Sequence, residues 1–167
     1  MTLNLQGSCR CGAVRFTVES REPVPFQRCY CSICRKTAGG GGYAINLGAD
    51  AQTLTVEDPD GRLGTFHAEI RGEDGACHLS TAERRFCTGC GTALWLFSPD
   101  WPDLVHPFAS AVDADLPVPP TRVHMMLRFR ASWAVPEVGE GDATFELGPE
   151  QSPEDWRKAH GVWAGER

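Results

Sequence analysis

Arg28-Cys29-Tyr30-Cys31-Ser32-Ile33-Cys34-Arg35 places three thiols within six residues. Two more stand upstream as Cys9-Arg10-Cys11, and two downstream as Cys87-Thr88-Gly89-Cys90. Seven of the eight cysteines therefore fall into three tight knuckles. Such spacing brings sulfur atoms close enough to share an ion, and zinc takes four sulfur ligands tetrahedrally. Seven ligands are one short of two closed tetrahedra. A division into four and three gives one closed site and one with an open position, where chemistry can take place. Spacing alone leaves open which knuckles pair.

Composition sets the frame around these knuckles. The 167 residues are enough for one compact domain with a real core, and the whole chain reads as a single unit. The 18 glycines and 12 prolines divide it into short segments, which favours strands and turns over long helices. The formal net charge is -6, and seven thiolates with two zinc ions would take it to about -9. An acidic chain of this kind is a poor partner for nucleic acid. Among its cations only Lys36 and Lys158 are lysines, the rest being arginines, which suit bidentate carboxylate contacts. Met1 to Gln6 has neither a basic start nor a long apolar run, and no stretch approaches the ~18 apolar residues of a membrane span. A cytoplasmic location is expected, with thiols reduced rather than bridged.

Strands are expected around the knuckles. Val14, Phe16 and Val18 alternate with Arg15, Thr17 and Glu19, the pattern of a half-buried strand. Further strands are read at Phe26 to Cys29, Tyr43 to Leu47, Thr53 to Glu57, Leu63 to Ile70, Thr92 to Phe97, Leu104 to Val112 and Arg122 to Arg130. In the last, Val123, Met125, Leu127 and Phe129 alternate against His124, Met126, Arg128 and Arg130. Arg21 to Pro25 and Asp58-Pro59-Asp60-Gly61 read as turns, and Gly39 to Gly42 as a turn or as bare backbone that lets a ligand approach. Cys77 to Thr81 reads as strand or loop, and the spare thiol of Cys77 as a small packed side chain. Ser152-Pro153-Glu154-Asp155 combines an N-cap serine, an N1 proline and acids in the first turn, which predicts a short helix from Pro153 to His160, with Trp156 packed back. The pattern is all-β with one terminal helix.

Three motifs resemble one family. Gly-Ser-Cys-x-Cys-Gly-x-Val-x-Phe at Gly7 to Phe16, Cys29-x-Cys31-Ser32-x-Cys34-Arg35-Lys36, and Arg85-Phe86-Cys87-x-x-Cys90-Gly91-Thr92-x-Leu94 are similar to the motifs of glutathione-dependent formaldehyde-activating enzymes. With His124 and Trp133 as the downstream His and Trp, the likeness runs from about residue 5 to 135. The resemblance implies an Mss4-like fold, a zinc-stabilised β-sandwich or tent of antiparallel sheets. It implies a structural zinc on Cys9, Cys11, Cys87 and Cys90. A second zinc is implied on Cys29, Cys31 and Cys34, with an exchangeable fourth ligand. The implied reaction is carbon-sulfur bond formation between a thiol such as glutathione and formaldehyde or a related aldehyde.

Chemistry supports that use of an open three-thiolate site. Three thiolates leave a bound Zn2+ with a net charge of about -1, a weak Lewis acid suited to holding a fourth thiolate, which is the nucleophile. Arg28, Arg35 and Lys36 flank the central thiols and are candidates for a substrate's carboxylates, with Arg84 and Arg85 weaker ones. The five histidines read as surface or hydrogen-bonded core residues, and Trp95, Trp101 and Trp133 as core. The competing reading is a zinc-stabilised binding module without catalysis, in which a side chain closes the second site.

Overall fold

The computed structural model describes residues 2–21, 26–72 and 74–149, together with Asp155, Lys158 and Ala159. In chain order the elements are β1 (Thr2–Ser8), β2 (Arg15–Arg21), β3 (Phe26–Cys29), α1 (Ser32–Ala38), β4 (Ala44–Asn46), β5 (Ala49–Asp50), β6 (Thr55–Glu57) and β7 (Leu63–Phe66). They continue as β8 (Glu69–Arg71), β9 (Cys77–Leu79), β10 (Glu83–Cys87), β11 (Ala93–Phe97), β12 (Leu104–Pro107), β13 (Arg122–Met125) and β14 (Ala143–Thr144). The strands form sheets ordered β1-β2-β6, β5-β12-β11-β10-β7 and β14-β13-β3-β4, with a separate β8-β9 ribbon. The first two sheets and the ribbon are antiparallel throughout, whereas β13 pairs in parallel with both β3 and β14.

The alternation after Gly12 holds in space. β2 buries Phe16, Val18 and Ser20 and exposes Arg15, Thr17 and Glu19. Its inward face meets Leu5, Leu47, Leu94, Trp95 and Val105 in the main core, and Phe16 packs edge-on against Trp95 with ring centroids 5.3 Å apart. Cys9 and Cys87 belong to that same core. A second, smaller cluster joins Cys29 and Cys34 to Ala44 and Phe108. The two knots of sulfur are thus continuous with the apolar packing.

Several local expectations change. Leu63 to Ile70 is two strands, β7 and β8, in different sheets. The break is at His67 and Ala68, where the Nδ1–H of His67 donates to the Ser80 carbonyl at 3.0 Å and Ala68 is buried. The Arg122 to Arg130 stretch stays extended only to Met125. Met126 takes a left-handed conformation (φ 61°), and Leu127–Phe129 is a 3-10 turn. Val123 and His124 are both buried, so the expected in-out alternation fails. β13 lies between β14 and β3, and a strand interior to a sheet can be covered on both faces. Trp95 is core as expected, but Trp101 and Trp133 are 61% and 62% exposed.

The helical content is also placed differently. Of the expected C-terminal helix, Asp155, Lys158 and Ala159 are helical and the remainder, with Trp156, lies outside the described residues, as does most of the Arg21 to Pro25 turn. The α-helix that positions chemistry is α1, inside the central knuckle. Its N-cap is Cys31, whose Sγ accepts from the Cys34 N–H at 3.3 Å, in the role that a serine oxygen usually fills. The glycine run after α1 acts as a turn. Gly42 has φ 93°, and a Cβ there would meet Ala134 and the Trp133 ring.

Candidate metal centres

The first cluster is built from two hairpin loops. Between β1 and β2 the Cys9 N–H donates to the Val14 carbonyl and the Gly12 N–H to the Cys9 carbonyl, both at 2.9 Å. Between β10 and β11 the Gly91 N–H donates to the Cys87 carbonyl at 2.8 Å. Gly12 and Gly91 have φ of 76° and 75°, left-handed turns that glycine adopts without a Cβ clash. The loops are tied together where the Arg10 N–H donates to Thr92 Oγ1 at 3.0 Å.

The outcome is four sulfurs, of Cys9, Cys11, Cys87 and Cys90, all within 4.8 Å of one another. Cys9 and Cys11 are 3.5 Å apart, and Cys11 and Cys87 3.7 Å. A tetrahedron with metal–sulfur bonds of ~2.3 Å has edges of ~3.8 Å, so this donor set fits zinc. Backbone polarity supports it, since the Val14 N–H reaches the Cys9 sulfur at 3.3 Å. Hydrogen bonding from Thr92 lowers the Cys90 thiol to about 5, while Cys11 is pushed up to about 11: the Ala13 N–H pulls it down, but its sulfur neighbours Cys9 and Cys90 win. Four sulfurs crowded this closely are the situation that a cation relieves.

The second cluster is Cys29 at the end of β3, Cys31 at the helix cap and Cys34 within α1, again within 4.8 Å of one another. Cys29 and Cys34 are buried and Cys31 is half-buried. Ala38, Ala93, Leu96, Met125 and Met126 pack around it. Hydrogen bonds from Cys29 and then Cys34 lower the Cys31 thiol to about 2, and the same contact with Cys31 drives the Cys29 thiol up. The three sulfurs fit zinc as a three-point base with one position left over. A groove of about 260 Å³ lies elsewhere, lined by residues such as Arg15, Thr55, Glu57 and Asp113, and contains none of these thiols.

Comparison with known proteins agrees with this geometry. Residues 4–126 match the family model described as glutathione-dependent formaldehyde-activating enzyme. A Halomonas elongata protein, named provisionally as an enzyme of that type, is 53% identical over 161 residues, covering 96% of this chain and 99% of its own length. The chain belongs to the glutathione-dependent formaldehyde-activating enzyme family. The crystal structure of a Rhodobacter sphaeroides protein is similar in fold, with a TM-score of 0.52 and 26% identity over 68% of this chain and 92% of that one.

Hydrogen bonds tie further residues to the central knuckle. Tyr30, 1% exposed, is locked between two of its cysteines. Its hydroxyl donates to His124 Nδ1 at 3.1 Å, and His124 Nε2–H donates to Asp142 Oδ2 at 3.1 Å. Asp142 also accepts the N–H groups of Arg122 at 2.7 Å and Gly139 at 3.0 Å. His124 is therefore a hydrogen-bonded core residue, the second of the two roles read for the histidines from sequence, and it fastens the central knuckle to the segment before β14. Burial raises the Asp142 carboxyl, but the Gly139 and Arg122 N–H groups and His124 outweigh it and hold it below its usual 3.8. We expect Asp142→Ala to cost about 3 kcal/mol, because it strands a buried imidazole and two N–H donors. A depressed carboxyl contributes stability that is complete above 3.8 and lost as pH falls through the lower native value. Urea titrations of both proteins should thus show the gap narrowing only below about pH 4.

The cations proposed from sequence take different places. Arg28 lies over the Tyr43 ring, 4.9 Å from its centroid. Arg35 is half-buried with its Nε unpartnered, and Lys36 is exposed. Arg84, ranked lower from sequence, is the cation that touches the cluster: its Nη2 is 4.0 Å from Cys34 Sγ. All eight cysteines are free thiols, and Cys77 is exposed on β9 rather than packed.

Proposed function

We propose that this chain adds a thiol, glutathione or a close analogue, to formaldehyde or a related aldehyde, as a carbon-sulfur lyase-type enzyme. The observation that carries the reading is the division of the knuckle thiols into a group of four and a group of three. Cys9, Cys11, Cys87 and Cys90 hold the structural zinc. Cys29, Cys31 and Cys34 hold the second zinc, which when bound supplies positive charge that keeps a fourth sulfur deprotonated.

In the addition, the thiol loses its proton to solvent and the thiolate sulfur bonds to the aldehyde carbon. The C=O π pair moves to oxygen, which takes up a proton, so thiol plus aldehyde gives the S-hydroxymethyl product. Arg35, Lys36 and Arg28, which flank the central thiols in the chain, serve the two carboxylates of glutathione. Buried Phe108, with the partly buried Ala93 and Leu96 packed against the cluster, excludes water from one side of the reacting sulfur.

Calorimetric titration of the zinc-loaded protein with glutathione and with S-methylglutathione tests this. Glutathione should bind and its S-methyl ether, which cannot become a thiolate, should not. Binding should tighten as pH rises toward the free thiol value of ~8.5, because the entering thiol releases its proton. Equal affinity for the two, or no binding of either at millimolar concentration, would remove the thiol-activating role.

A further inference from the structure

Arg84 is a buried cation with donors to spare. It is 8% exposed, and its Nε and Nη1 are buried without a hydrogen-bond partner. The only hydrogen bond shown for its guanidinium among the described residues is the long one from Nη2 to Cys34 Sγ. Taking a guanidinium out of water costs several kcal/mol unless its donors are filled. The strand is built to bring it there. A register shift between Arg85 and Phe86 in the β10–β11 pairing breaks the two-residue alternation of β10. Arg84 and Cys87, three positions apart, are consequently both buried. One strand therefore delivers a ligand to the first cluster and a cation to the second, as bulges elsewhere re-aim side chains at functional sites.

We propose that Arg84 binds the oxygen that becomes negatively charged when the thiolate adds to the aldehyde. This rests on the reading of the second cluster as the thiol-addition site. Distance selects the role. A guanidinium in contact with a cage sulfur is too close to the reacting sulfur to serve carboxylates that lie many bonds away along a tripeptide. The aldehyde oxygen is attached to the carbon that bonds that sulfur, one atom removed. The N–H groups on Nε and Nη1 have no partner, so a donor remains for that oxygen while Nη2 faces Cys34. As the S–C bond forms, the π pair of C=O localises on oxygen. Arg84 stays protonated and stabilises that charge, and solvent supplies the proton that gives the hydroxymethyl product. A buried donor set aimed at developing charge is worth about 10²–10³ in rate.

The test compares zinc-loaded wild type with Arg84→Met and Arg84→Lys. Metal content and melting temperature come first, then calorimetric affinity for glutathione alone. Affinity for the adduct follows, preformed with excess 13C-formaldehyde and read by 13C NMR, and then the rate of adduct formation. Arg84→Met should keep two zinc ions and glutathione affinity within about twofold, yet bind the adduct about tenfold more weakly and lose about a hundredfold in kcat. Arg84→Lys should recover part of both losses, and it stands in if the methionine variant does not fold. Lower glutathione affinity with unchanged kcat would make Arg84 a carboxylate anchor, and loss of the second zinc would make it a structural counter-charge. Either overturns the proposal, as do variants with wild-type behaviour throughout while wild type binds glutathione and forms adduct. Wild type that does neither overturns the thiol-addition reading and this inference with it.

Discussion

Cys87→Ser is expected to leave the protein without a stable folded state at room temperature. Cys87 is 0% exposed and packs in the main core with Cys9, Val14, Leu94 and Trp95. Its sulfur is one of four that lie together where the β1–β2 loop meets the β10–β11 turn, parts of the chain almost eighty residues apart. Closing so long a loop by a metal removes much of the disorder of the unfolded chain. Structural zinc contributes an apparent ~10–16 kcal/mol in small zinc domains, as large as the whole stability of a typical fold at ~5–15 kcal/mol. A serine hydroxyl neither ionises near neutral pH nor supplies the soft donor zinc prefers, so three sulfurs would be left crowded around a poorly held ion. Circular dichroism should show no cooperative thermal transition, and a strong chelator added to wild type should reproduce that state. A Cys87→Ser protein that melts at the wild-type temperature would show that the first cluster carries no structural load.

What could be read from sequence followed from local signals. The alternation of Val14, Phe16 and Val18 survives because β2 is covered on one face only, the case in which a two-residue period is informative. Cluster membership was legible because cysteines with only one or two residues between them bring their sulfurs together. Which knuckles share an ion was not, and came from the resemblance. The misses are all set by distant packing. α1 is seven residues long and capped by a cysteine, so it lacks both length and the usual cap. His124 looks exposed by parity but is buried because β14, after a long connection, returns beside β13. Arg84 was read only as a weaker carboxylate candidate, since nothing in the run Arg84-Arg85-Phe86 announces the bulge that turns it inward. An arginine beside a metal-binding knuckle could have been weighted more heavily on charge alone, because clustered thiolates need a nearby cation.

Cys31→Ser should have the opposite profile to Cys87→Ser, with the fold kept and the ligand lost. Cys31 does two separable things. Its sulfur caps α1 by accepting from the Cys34 N–H, and it is one of the three sulfurs of the second cluster. Serine performs the first task as well or better, because a hydroxyl oxygen is a favoured helix N-cap. It cannot perform the second as a soft anionic donor. The side chain is half-buried, so the exchange leaves no deep cavity, and the first cluster, on other loops, is untouched. Metal analysis should therefore fall from two zinc ions per chain to one, with a melting temperature within a few degrees of wild type. Glutathione binding should disappear at millimolar concentration, because the two sulfurs left, Cys29 and Cys34, are buried and make a poor chelate. Cys29→Ser makes the useful contrast, since it places a hydroxyl at a buried sheet position and should lower stability as well as remove the metal. If Cys31→Ser keeps two zinc ions and wild-type glutathione affinity, the thiol binds somewhere other than the second cluster, and the open position assigned to that cluster does not exist.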